Sequence, residues 1–480
     1  MFRKNLWLTL LVVGSLVLPM LTAGCGPTST PQVIKETVVV EKEVPVKETV
    51  VIEKEVPVKE TVIVEKVVTP TPAPTPTPAP LKGEITIAVV HGAMMDWMKP
   101  MAEKFMELHP GTKVNVIEEP AGGQLDAMIA AGNQPDIFVG SFGYMAAKYA
   151  AMDVLVPLED MPGAEELFAR LDPNTLYKYY GHYYYVPAGI DITVMIYNKE
   201  LFKEAGLDPE KPPETFDEFL AAAEKIQALP PREDGSKVYG TVFWNDALVW
   251  GGWYWNMLAP IYFNINGAKY RVMNSIGTDI VFDKPEAKMA EFFEFCKKAQ
   301  QFAPPTMEQN FFSRSIGMWL QYGYSWAPNL KEAKDRPMVI GEDVDVAPVP
   351  APEKGMTHYT TLGGRPYLIF QSTPERELLA WEFVKFLMED ENSLSFCKEL
   401  GYLPTLVTLK DDPYFTSPER KVFVEAMEHA LFPEAFAKYD LVANELLKAY
   451  AKVVVEGTLT PEEGVAEAAK AAREILGITE

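Results

Sequence analysis

The chain has 480 residues, 48% of them hydrophobic and 11% aromatic, which is more apolar material than one compact core holds. Its 44 basic residues stand against 67 acidic ones, a formal charge of -23, and no Lys/Arg-rich run opposes that excess. Such a balance repels phosphate backbones and anionic head groups, so it argues against nucleic acid as a partner, and against a strongly anionic ligand unless a local cation compensates.

Arg3 and Lys4 precede the apolar run LWLTLLVVGSLVLPML, and the small residues of TAGC follow. That order predicts a secretory signal peptide over residues 1–24. The stretch LTAGC is similar to the bacterial lipobox, in which a cysteine thiol is acylated and becomes the new N-terminus. The expectation is therefore lipidation at Cys25 and an extracytoplasmic body attached to the cell membrane. An uncleaved anchor with an incidental cysteine would leave the body on the same side. Removing residues 1–24 takes away two basic and no acidic residues, leaving 42 against 67 and a charge of -25. Cys296 and Cys397 then remain, and an oxidising compartment permits a disulfide between them without making a disulfide framework. There is no CxxC pair and no Cys/His cluster, so neither a metal nor another cofactor is expected.

Residues 25–80 read as a stalk. KETVVVEKEVPV, KETVVIEKEVPV and KETVIVEKVVTP occupy 35–46, 47–58 and 59–70, with Pro45 and Pro57 interrupting any long helix. TPTPAPTPTPAP then forms a polyproline-II spacer extending ~3.1 Å per residue. The 12-residue period is too short for a self-packing repeat. The remaining alternative is self-association of the Val-rich repeats as strands. A lipid and a semi-rigid stalk suit a body that captures something outside the membrane and hands it to a partner within it.

A globular pattern begins at GEITIAVV. Residues 84–90 predict a strand, and 94–109 a helix with Met95, Met98, Met101, Phe105 and Leu108 on one face. A strand at 112–119, a helix at 125–132 and a strand at 135–141 follow. This alternation predicts an α/β fold with right-handed crossovers and mainly parallel sheets flanked by helices. Ligands of such sheets lie beyond the carboxyl ends of the strands. That rule nominates His91, Asp96, Gln124, Ser141 and Tyr144, on the loops at 91–97, 120–124 and 140–145. VPAGIDITVMIYNKELF (186–202) is an extended run rich in β-branched and aromatic residues, interrupted by Asp191. A buried unpaired carboxylate is costly, so Asp191 is either paired or faces something polar.

Over residues 84–475 the chain resembles the extracellular solute-binding proteins of ABC importers, in the sugar-binding group that includes maltose-binding protein. AEKFMELHPGTKVNVI (102–117) and QPDIFVGS resemble the group's first helix and its second and third strands. Residues 183–226 carry Val-Pro, Tyr-Asn-Lys, Ala-Gly-Leu and Pro-x-Thr-Phe-Asp-Glu in order, and 311–330, 361–370 and 380–405 continue the series. The resemblance implies the two-lobed, type II periplasmic-binding fold with three hinge crossovers. One lobe would hold 81–190 plus 372–425, the other 191–371 plus 426–480. It also implies a ligand held between the lobes, hinge closure around it, and delivery to the transmembrane subunits of an ABC permease. Asp191 falls at the first crossover, where members of the group carry a sugar-contacting carboxylate. Pairing with a neighbouring Arg, or capping a turn, stays open as its alternative.

A sugar offers flat C–H faces and a ring of hydroxyls, which call for aromatic rings and planar polar groups. FWNDALVWGGWYW (243–255) concentrates Trp244, Trp250, Trp253 and Trp255 around Asn245 and Asp246, with Trp250 and Trp253 spaced to share a buried helix face. LQYGYSWAPN adds Tyr322, Tyr324 and Trp326. TLGGRP places Gly363, Gly364 and Arg365 in position either to bind hydroxyls or an acidic sugar, or to bridge the lobes as a salt bridge. The first-lobe loops do not reproduce the carboxylate and Trp contacts of maltose-binding protein itself. A glycoside hydrolase would need two carboxylates about 5 Å or more apart across a cleft. Pairs are easily drawn among 67 acids, but no GxSxG, HExxH, P-loop or GxGxxG is present, so a binding protein is expected and not an enzyme. Polyamines or other small solutes are the alternative ligands.

Overall fold

Thr86 and Asp136 begin the architecture: each backbone N–H of the pair is committed to the other residue. Asp136 N donates to Thr86 O at 2.9 Å, and Thr86 N donates to the Asp136 carboxylate at 2.7 Å. These bonds join β1 (Gly83–Val89) to the lead-in of β3 (Ile137–Val139), which pairs with it in parallel. On its other side β1 pairs in parallel with β2 (Thr112–Glu118), from Gly83 opposite Thr112 to Val89 opposite Glu118. In this computed structural model the described residues are 80–478, other than 121–122, 141–143, 244–251, 307–309, 433 and 435. The expected signal peptide over residues 1–24, Cys25 and the repeats lie outside them.

The helix Ala93–Leu108 connects β1 to β2 and buries Met94, Trp97, Met98, Ala102 and Phe105. Its apolar stripe is displaced from the one the sequence predicts. Met95 and Met101 flank the stripe half-buried, and Leu108 is 59% exposed in the last turn. Trp97 sets this register, because its ring meets Phe396 edge-on at 5.1 Å and its indole N–H donates to Ser395.

The sheet runs β2-β1-β3, then β8 (Thr360–Ile369), β4 (Val186–Asn198), β6 (Ile316–Gly323) and β5 (Tyr239–Thr241), with β7 (Val344–Ala347) also on β4 and β9 (Ala430–Leu431) on β8. β4 is its spine. Every residue of β4 is buried except Asp191. Residues 186–192 pair antiparallel with β8. Residues 193–198 pair antiparallel with β6 on one side and β7 on the other. β5 adds to β6 in parallel, and β9 to β8 in parallel. Two parallel blocks are thus joined through long antiparallel strands, and Asp191 stands where β4 changes partners.

The helices Pro374–Leu387 and Asp390–Leu400 cover the β1 side, while Gly252–Asn266, Met289–Gln300, Tyr439–Tyr450 and Pro461–Leu476 pack together on the other. Cys296 and Cys397 sit on Met289–Gln300 and Asp390–Leu400, both fully buried and both free, so the disulfide that the sequence permits is not formed. Burial pushes both thiols up, which keeps them protonated. Among the described residues no helix is long and apolar enough to cross a membrane.

Candidate functional site

The site is built where β4 passes from β8 to β6. Asp191 lies opposite Gly363, Ile190 opposite Gly364 and Gly189 opposite Arg365. Directly opposed and alternate residues of a ladder share a face, so the Asp191 and Arg365 side chains emerge on one side of the β4–β8 pair.

Asp191 is half-buried and accepts two bonds from Ser325: the backbone N–H to Oδ1 at 3.2 Å, and the hydroxyl to Oδ2. Ser325 is the second residue of the 3-10 helix Tyr324–Glu332 that follows β6, so the carboxylate caps the first turn of that helix across the crossover. The turn-capping role left open by the sequence is realised here, with Ser325 as a partner. Gly323 makes room for it: a Cβ on Gly323 would come within 2.8 Å of Asp191 Oδ2 and 2.9 Å of Oδ1. Gly323→Ala should therefore push the carboxylate off Ser325. If Asp191 and the Tyr324 turn serve the ligand, calorimetry on a sugar that binds the parent chain should show a loss of about 1–2 kcal/mol in both Gly323→Ala and Asp191→Asn. Unchanged affinity in both would confine Asp191 to capping.

Arg365 points toward the carboxyl ends of the first-block strands. Its Nε donates to Tyr402 Oη at 3.2 Å and its Nη1 to Gly140 O, just past β3, at 3.4 Å. Gly189 lies beneath; a Cβ there would sit 2.7 Å from Tyr402 Cβ and 2.8 Å from Phe396. Tyr402 and Phe396 are stacked at 5.3 Å, so the hydroxyl that accepts from the guanidinium is carried on a packed aromatic shelf. Just past β2 stands Glu119, half-buried; burial pushes its carboxyl up, and the positive charge of Arg365 partly offsets this. Among the described residues no carboxylate comes within ion-pair distance of Arg365, so none of them makes the lobe-bridging salt bridge considered for it.

The other nominated residues separate into three groups. His91 and Asp96 are exposed beyond β1, with His91 Nδ1 3.5 Å from Glu118, and Gln124 is exposed at the start of the helix Gln124–Ala130. Tyr144 opens the helix Tyr144–Ala151, Trp253 lies in Gly252–Asn266, and Tyr324 and Trp326 lie in the 3-10 helix, placed by their backbones alone. Ser141, Trp244, Asn245 and Trp250 lie outside the described residues. Trp255, the fourth of the tryptophan cluster, is core: it is fully buried and packs edge-on against Phe292 at 5.6 Å. Tyr322 is likewise buried, within β6.

Glu119, Ser325 and Tyr402 join the site without having been singled out. Glu119 had a signal, as an acid directly before the PAGGQ loop; Ser325 and Tyr402 had none. The assembled chemistry is a guanidinium fork, carboxylates, a phenol and a hydroxyl, which suits hydrogen bonding to a polar solute.

The sequence profile of the bacterial extracellular solute-binding proteins matches residues 88–393. The chain belongs to that family. A maltotriose-binding protein of Pyrococcus abyssi is 26% identical over 347 residues, covering 70% of this chain and 69% of that protein. The sn-glycerol-3-phosphate-binding periplasmic protein of Salmonella typhimurium is 29% identical over 332 residues, covering 63% and 70%. Among solved structures, the cyclic alpha-maltosyl-1,6-maltose binding protein of Arthrobacter globiformis superposes with a TM-score of 0.67 at 21% identity, over 82% of this chain and 99% of that one. A solute-binding protein of Thermotoga lettingae bound with alpha-D-tagatose gives 0.68 at 22%, over 82% and 100%. The family member described here therefore has the two-lobed α/β fold of type II periplasmic binding proteins.

Proposed function

We propose that this chain is the substrate-binding lipoprotein of an ABC importer, capturing a mono- or oligosaccharide outside the cell and delivering it to a membrane permease. The observation that carries the reading is the polar junction at the β4 crossover, where Asp191 and Arg365 stand on strands that pass between two parallel blocks and Glu119 lies within electrostatic reach of Arg365. Crossover strands are where a hinge bends, and groups placed there feel both halves when the hinge closes. The lobes are assigned as 81–190 plus 372–425 and 191–371 plus 426–480. Family membership supports a binding role over catalysis and an extracytoplasmic location. The maltotriose-binding relative supports a sugar as cargo. The residues Arg3 to Cys25 support export and lipid anchoring, and the stalk at 25–80 would hold the lobes above the membrane.

Thermal shift of the chain expressed without residues 1–25, against neutral sugars, acidic sugars and spermidine, tests the assignment. A sugar at 100 times its dissociation constant should add about 2.7 kcal/mol of stability. A shift with spermidine and none with any sugar would replace the carbohydrate by a polyamine.

A further inference from the structure

Arg365 has five N–H donors, and the described residues use two of them, on Tyr402 and on Gly140. Glu119 has the opposite need: among the described residues no donor meets its half-buried carboxylate. Each of the two charges is within electrostatic reach of the other, yet they do not touch. Asp191, on the same face of the ladder, also acts on the guanidinium. One cation, held at the end of β3 by Gly140 and Tyr402, thus has two carboxylates within electrostatic reach, and Glu119 follows directly on β2.

That arrangement separates ligand classes. A phosphate or sugar carboxylate drawn to Arg365 would meet Glu119 and Asp191 together, and like charges brought close without water between them repel strongly. A pair of hydroxyls meets no such barrier, since each can accept from the guanidinium and donate to the carboxylate. We propose that Arg365 and Glu119 form a charge-balanced donor–acceptor pair that selects uncharged polyhydroxylated solutes and rejects phosphorylated and acidic ones. The inference rests on the sugar-binding reading above and deepens it. It also separates this chain from the glycerol-phosphate-binding relative, since the cation that could have served a phosphate is already matched.

The test is calorimetric titration of the chain without residues 1–25 with maltotriose, D-tagatose and ribitol as neutral probes, and sn-glycerol 3-phosphate and D-glucuronate as anions. The parent chain should bind at least one neutral probe and neither anion. Glu119→Gln keeps the shape and removes one negative charge, so affinity for an anion should rise at least tenfold. Arg365→Lys keeps the charge and loses the fork, so neutral-probe affinity should fall at least tenfold while the anions stay excluded. Tighter binding of either anion than of every neutral probe by the parent chain would overturn the proposal. So would a Glu119→Gln variant whose response to anions is unmoved while neutral binding persists. Binding of spermidine alone would instead remove the sugar-binding reading itself, and this inference with it.

Discussion

Replacing Asp136 by Ala should destabilise the folded chain by about 2 kcal/mol, within the cost of leaving a buried donor unsatisfied. Asp136 is 2% exposed and holds three donors: Thr86 N at 2.7 Å, Arg376 Nε at 2.8 Å and Arg376 Nη2 at 2.7 Å. The carboxylate thereby ties β1, the entrance of β3 and the helix Pro374–Leu387 at one point. Arg376 is 47% exposed, so once abandoned it regains water and contributes little to the loss. The Thr86 N–H has less recourse, and a buried donor left unsatisfied costs about 1–3 kcal/mol. Asp136→Asn keeps an acceptor for Thr86 and gives up the charge-assisted fork, so it should lose roughly half as much. Urea unfolding measures both; an Ala variant within about 1 kcal/mol of the parent would show that this pin does not join the first block.

Glu434→Gln should change how stability depends on pH. Glu434 is buried, and its two oxygens accept from Val272 N at 2.8 Å and Met273 N at 2.7 Å. Burial pushes its carboxyl up to about 7, against the pull of Arg271 and of the two amides. Arg271 itself donates to Phe432 O, so the segment after β9 is held to residues 271–273 from both sides. An unfolded glutamate ionises near 4.5, so between 4.5 and about 7 the folded state holds a proton that the unfolded state has lost. More protons on the folded side means that this group's stabilising contribution is greatest below 4.5, falls as pH rises, and levels off above about 7. At about 1.36 kcal/mol per unit the full swing is about 3 kcal/mol. The Gln variant lacks it, so its stability relative to the parent should rise by about 2–3 kcal/mol between about pH 5 and about pH 8. Parallel stability curves for the two chains would show that Glu434 does not titrate in this window.

Local features of the chain are legible in its sequence. The expected strand at 84–90 is β1 at Gly83–Val89, the expected helix at 94–109 is Ala93–Leu108, and the expected strand at 112–119 is β2 at Thr112–Glu118. The oddity of Asp191 in an otherwise buried run is legible for the same reason, since one charge in thirteen strand positions stands out without any knowledge of neighbours. Its partner is not legible. Ser325 is 134 residues away, and nothing local distinguishes it from other serines. The helical stripe of Ala93–Leu108 differs from its expected position because periodicity defines a face only to within a residue or so. The deciding contact, Trp97 on Phe396, comes from a distant helix. In the tryptophan cluster, composition counts the rings but does not separate the core residue, Trp255, from the others.

Short-range patterning therefore determined the class of the fold, the order of its first elements and the polar character of the crossover, because each depends only on spacing along the chain. Packing alone decided which polar groups meet. The pairing of β4 with β8 puts Arg365 on the same face as Asp191, and the ends of β2 and β3 bring Glu119 and Gly140 to the guanidinium. These groups are brought together by strand register and by the shelf of Phe396 and Tyr402, and register is a property of two strands at once, which no single stretch of sequence contains.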